Sequence, residues 1–71
     1  MILLVDGTNY TLTESNDIYT SPTLRDFISI HKKNDHKYTI DFDNAFGLQN
    51  RSFTTLQAAF REALLVQKYY N

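Results

Sequence analysis

"LRDFISIHKKNDHKYTIDFD", residues 24–43, is the stretch on which the fold turns. Leu24, Phe27, Ile28 and His31 fall at helical spacing, with Ser21 as a cap and Pro22 in the first turn. Against a helix, "FISIHK" alternates and is rich in β-formers, and "KYTIDF" alternates more cleanly. A hairpin is the better reading. A two-residue loop at Asn34-Asp35 sets Ile28 opposite Asp41 and Ile30 opposite Thr39. An odd loop of three or five residues instead sets Ile30 opposite Ile40 and Ile28 opposite Phe42. The odd register gathers Ile28, Ile30, Tyr38, Ile40 and Phe42 on one face, with Ser29, His31, Thr39, Asp41 and Asp43 on the other. Burial selects it, because a one-residue slip inverts every side chain.

Upstream, the apolar run 1–5 and the alternating "YTLTE" (10–14) flank "DGTN", and Asp-Gly is a strong hairpin signal because Gly7 tolerates positive φ. A two-residue loop pairs Val5 with Thr8, and a four-residue loop pairs it with Tyr10. Either way Leu3, Val5, Tyr10 and Leu12 share a face, and Ile2 and Leu4 point to the opposite one. Residues 15–23 are rich in turn formers, with Ile18 and Tyr19 expected to anchor a loop or form a short edge strand.

Downstream, residues 44–53 connect to a final helix, with Phe46 and Leu48 as expected plugs. Thr54 with Gln57 three residues on makes a capping box, Ser52 is a competing cap, and the helix is expected to reach about Tyr70. Phe53, Leu56, Phe60, Ala63 and Leu64 fall in one sector of the helical wheel, the stripe expected to cross the sheet. On the far side Ala58, Leu65 and Tyr69 align at spacings of seven and four, with Glu62 among them. Scattered apolar residues on a helix need no explanation. A second stripe, with outward-facing Ile2 and Leu4 as a separate excess on a different surface, is harder to dismiss, and the two suggest either two contacts or an extra covering element within the fold.

Composition bounds the function. With 71 residues there is room for one domain, and a domain near that size buries only about 60% of the surface its unfolded chain exposes. The 42% hydrophobic and 14% aromatic content argues against disorder. No cysteine is present, which removes disulfides, thiolate catalysis and the common zinc sites. The N-terminal apolar run is too short for a secretory signal or a membrane span, and the expectation is a soluble cytoplasmic protein. A net charge of −1 gives no global field toward nucleic acid or anionic lipid.

Two clusters carry conceivable chemistry. Lys32, Lys33 and Lys37 sit at the expected hairpin tip and offer a small nucleic-acid contact, the alternative reading. Asp35 lies among them, and lysines also keep hairpin edges soluble, so a solvated tip is the better interpretation. His31, Asp41 and Asp43 share a polar face, a spacing that permits metal or acid–base chemistry, yet any polar hairpin face produces such a trio. No phosphate loop or nucleophile elbow is present. Neither a cofactor nor a metal is expected, and enzyme activity is not expected.

The expected fold is α+β across residues 1–71: about four antiparallel strands from two hairpins, covered on one face by the C-terminal helix. The expected function is non-enzymatic protein binding through Ala58, Glu62, Leu65 and Tyr69. Such a chain suits a small regulator or inhibitor of the kind phages and mobile elements carry, occluding a host protein. Self-association into a homodimer through the same stripe is the variant of this reading.

Overall fold

The computed structural model describes residues 1–42 and 51–69. Asp6 and Gly7 both take positive φ, 50° and 83°, which closes the first hairpin as a two-residue turn of the mirror-image type. Strands β1 (Ile2–Val5) and β2 (Thr8–Thr11) pair antiparallel, with Val5 opposite Thr8 and Leu3 opposite Tyr10. Leu3 and Val5 are buried while Ile2 and Leu4 face out, as the alternation requires.

Leu12 ends this hairpin and begins the next sheet. It exchanges backbone hydrogen bonds with Met1, at 2.8 and 2.7 Å, and its side chain is buried. Directly beyond it, β3 (Thr13–Ser15) pairs with β4 (Ile18–Thr20) through a second mirror-image turn, with Asn16 at φ 52° and Asp17 at φ 64°. The Asp17 N–H donates to Glu14 Oε2 at 2.8 Å. Residues 15–23 are therefore more ordered than the turn-rich composition suggests. Ile18 and Tyr19 form an interior strand, because β4 also pairs with β5 through Ile18–His31 and Tyr19–Ile30.

Between β4 and β5 the chain turns twice. Leu24 N–H donates to Ser21 O and Ile28 N–H to Arg25 O, and Leu24 and Ile28 are buried. Then β5 (Ser29–Asn34) and β6 (Lys37–Asp41) form the central hairpin, with Ile30 opposite Ile40 and a bulge between Lys32 and Asn34. This is the odd register that burial selects. Residues 29–33 are strand, so the helical alternative fails there.

The expected four strands are seven among the described residues, in a two-stranded sheet β1-β2 and a five-stranded sheet β3-β4-β5-β6-β7. The excess comes from short elements with weak patterns, β3 and β4 above all. The shortest, β7 (Ser52–Phe53), pairs with Tyr38 and Thr39 of β6. Phe53 is half-buried there, so it belongs to the sheet and not to the helix, and Ser52 is not a cap. Pairing holds the chain extended to Thr55, whose φ and ψ are −131° and 155°. Thr55 is consequently the N-cap of α1 (Leu56–Gln67), and its side chain accepts the Ala58 N–H at 3.1 Å. Gln57 falls one position short of a capping box. At the other end Lys68 N–H reaches Leu65 O and Tyr69 N–H reaches Val66 O, a tightened last turn. Phe46, Leu48, Asp43 and the expected helix end at Tyr70 lie outside the described residues.

The helix packs on both sheets. Phe60 is fully buried, with its ring centroid 4.8 Å from that of Tyr10 on β2. The core continues through Leu56, Ala59 and Ala63 of the helix to Ile30, Ile40 and Phe42. Ala63 is buried with the expected helix stripe, Leu24 and Ala59 are buried beyond the faces read from the sequence, and Phe53, Leu64 and Tyr10 are only partly buried. The class is α+β, with antiparallel sheets and one C-terminal helix packed on them.

Candidate protein-contact surfaces

Core burial fixes which face of α1 looks outward. Leu56, Ala59, Phe60 and Ala63 point inward, which rotates Leu65 away from both sheets. Leu65 is 48% exposed and Tyr69, just beyond the helix C-cap, is 84% exposed. Ala58 is half-buried at the N-terminal end of the same face. Glu62 is also half-buried and already engaged: its Oε2 accepts from Arg51 Nη1 at 2.9 Å. Ala58, Glu62 and Leu65 thus share one side of the helix, with Tyr69 just past its end, but Glu62 is committed to Arg51, the residue before β7. The Arg51 guanidinium carbon also lies 5.2 Å above the Phe53 ring, so the pair forms part of the packing.

Two polar links absent from the sequence reading fix this helix in place. Arg61 reaches across to the first hairpin turn, donating from Nε and Nη2 to Asp6 at 2.9 and 3.1 Å. Hydrogen bonding to Asp6 holds the Arg61 guanidinium above its ordinary pKa range. Gln67 clamps the loop before β5, accepting from Arg25 N–H at 3.1 Å and donating to Thr23 O at 3.0 Å. No local pattern reveals contacts between residues more than forty positions apart in the chain.

The second apolar surface is the outer face of the first hairpin, where Ile2 is 63% and Leu4 is 58% exposed. Among the described residues nothing covers either side chain.

The basic tip is less free than its composition suggests. Lys33 and Lys37 are exposed, but the Lys32 ammonium lies 3.6 Å from Asp35 Oδ1. Tyr38 sits opposite Lys32 across the hairpin and is the main cause of its raised pKa, with Asp35 and Tyr19 adding to it. Lys32 is thus part of a local cluster with Tyr38 and Tyr19, whose rings are 6.3 Å apart.

His31 and Asp41 do meet on the polar face, at 3.5 Å, and Ser29 joins them with its Oγ 3.1 Å from the histidine. Both contacts fall on the same ring nitrogen, Nε2. A nucleophilic triad needs its carboxylate and its hydroxyl on opposite nitrogens, so this trio cannot relay a proton through the ring. Among the described residues no group of three His, Cys, Asp or Glu side chains is placed to hold a metal ion. A shallow cleft of about 390 Å³ runs past Thr13, Thr20, Ser21, Pro22, Arg25 and Asp26. Its position, beside the Gln67 clamp, sets it apart from the His31 face.

Comparison with protein-family models, with curated proteins and with solved structures finds no match to this chain. No helix among the described residues is long and apolar enough to cross a membrane.

Proposed function

We propose that this chain is a non-enzymatic protein-binding module that acts by occluding a surface of its partner, with Leu65 and Tyr69 at the centre of contact and Ala58 and Glu62 at its border. The observation that carries the reading is the exposure of Leu65, 48%, on the helix face turned away from the core and of Tyr69, 84%, just past the helix end. An exposed aliphatic side chain on the outward helix face and an exposed aromatic ring just past the helix C-cap make a recognisable docking anchor, since Tyr is enriched among residues that dominate binding energy. Polar links at Arg61, Glu62 and Gln67 hold this helix against three neighbouring segments, so the surface is preorganised and little ordering cost falls on binding. A small regulator or inhibitor, including one carried by a phage or mobile element, would use a surface of this kind.

The test is affinity capture with the wild-type chain and with a Leu65→Lys/Tyr69→Glu double variant. Circular dichroism and a thermal melt should show the variant folded as the wild type, because neither side chain is buried. The expected result is a protein retained by the wild type and lost by the variant. Equal retention by both would dispose of the surface assignment.

A further inference from the structure

The outer edge of β1 carries information that side-chain exposure alone does not. In an antiparallel pair, residues alternate between those that exchange both backbone hydrogen bonds and those that exchange none. Met1 and Leu12 exchange both. Counting along the ladder, Leu3–Tyr10 and Val5–Thr8 are hydrogen-bonded pairs, whereas Ile2–Thr11 and Leu4–Asn9 are not. Thr11 confirms the phase: its carbonyl points away from β1 and accepts from Ser21 Oγ at 2.7 Å. The N–H and C=O groups of Ile2 and Leu4 therefore point away from β2, and β1 pairs with no other strand among the described residues.

Among the described residues the two edge strands of the five-stranded sheet are short, and β2, the other edge of the two-stranded sheet, carries the polar Thr8, Asn9 and Thr11, with the Thr11 carbonyl already taken by Ser21 Oγ. β3 is three residues long and carries Glu14, and β7 has two residues. β1 has neither charge nor proline nor bulge, and its outward side chains are Ile2 and Leu4.

We propose that β1 is a self-association edge, pairing antiparallel with β1 of a second copy about a two-fold axis at Leu3. The register is self-complementary. A two-fold at Leu3 sets Ile2 opposite Leu4 of the other copy, and both residues present their free N–H and C=O toward that edge. Each Ile2 N–H then donates to the opposite Leu4 carbonyl and each Leu4 N–H to the opposite Ile2 carbonyl. The sheet runs β2-β1-β1-β2 across two copies, and the exposed aliphatic side chains of each become cross-strand neighbours. No like charges are brought together, since no residue of β1 is ionisable and the adjacent Asp6 is neutralised by Arg61. The paired segment is short, so the interface lies below the roughly 1,200 Å² total of stable complexes and the dimer is weak and concentration-dependent. This surface is separate from the helix stripe and leaves Leu65 and Tyr69 available.

Sedimentation equilibrium from micromolar to millimolar concentration, with amide hydrogen exchange at both ends of the range, tests the proposal. The expected result is a mass rising toward a dimer, with the Ile2 and Leu4 amides slowing as concentration rises. Leu4→Pro deletes an outward N–H without touching the β1–β2 ladder and should weaken the dimer by at least about tenfold. Ile2→Lys adds an edge charge, should act the same way, and serves if the proline variant does not fold. The Leu65→Lys/Tyr69→Glu variant should dimerise as the wild type. A monomer at millimolar concentration would overturn the proposal. So would a dimer that survives both β1 substitutions, or one lost only with the helix substitutions.

Discussion

Thr55 shows how much one residue settles. Its extended backbone ends the segment that β7 holds against β6, and its hydroxyl satisfies the Ala58 N–H at the start of α1. Thr55→Ala should lower stability by about 1 kcal/mol in urea unfolding, whereas Thr54→Ala should change it by far less. Local pattern favours Thr54 because of Gln57, with Ser52 as the competitor, and does not single out Thr55 beside it. Only the pairing of Phe53 with Tyr38, a contact fifteen residues away in sequence, decides between them. Tyr19 supplies a second residue-scale prediction. Burial holds its phenol above the ordinary 10.0, and neighbouring Tyr38 adds to the shift. The unfolded chain thus releases this proton at lower pH than the fold does. Lys32, raised chiefly by Tyr38, acts in the same direction because the fold retains its proton longer. Stability from both groups should be level below about pH 10 and fall above it, and Tyr19→Phe should reduce the slope in urea titrations at alkaline pH.

Among the elements, the first hairpin was legible in its Asp-Gly turn and its outward Ile2 and Leu4, which follow from alternation over ten residues, whereas the choice of Thr8 over Tyr10 opposite Val5 came only with the two-residue turn. Gly7 sits at φ 83° with open space where a Cβ would stand, so Gly7→Ala introduces backbone strain and no clash. It should cost about 1 kcal/mol, measured by the shift in denaturation midpoint. The central hairpin was legible for a different reason. Ile30 and Ile40 must face the core together, and only an odd connection allows it, which the bulge at Lys32/Asn34 supplies. β4 was the least legible element: three residues with one half-buried ring give no periodic signal, and its place between β3 and β5 depends on partners at both sides.

At the scale of the molecule, Leu12 joins the two sheets. It closes the β1–β2 ladder, directly precedes β3 and is buried in the core. Leu12→Ala should cost about 2–5 kcal/mol, and fluorescence and circular dichroism should report one shared transition at a lower midpoint, because the cavity opens where the sheets meet. The candidate contact surfaces divide along the same line of legibility. Leu65 and Tyr69 were visible as an unused helical stripe, whereas the engagement of Glu62 by Arg51 and of Lys32 by Asp35 and Tyr38 was not.

The sequence by itself determined the class of the fold, the register of the central hairpin, the inward and outward faces of the first hairpin, and the helix with its two faces. These follow from periods of two and of 3.6 residues, which any chain of this pattern must satisfy to bury its apolar side chains. The tertiary structure decided the strand count, the true helix start, the place of β4 and the polar links through Arg61, Glu62 and Gln67. Each of those depends on groups far apart in the chain, whose meeting no local periodicity encodes.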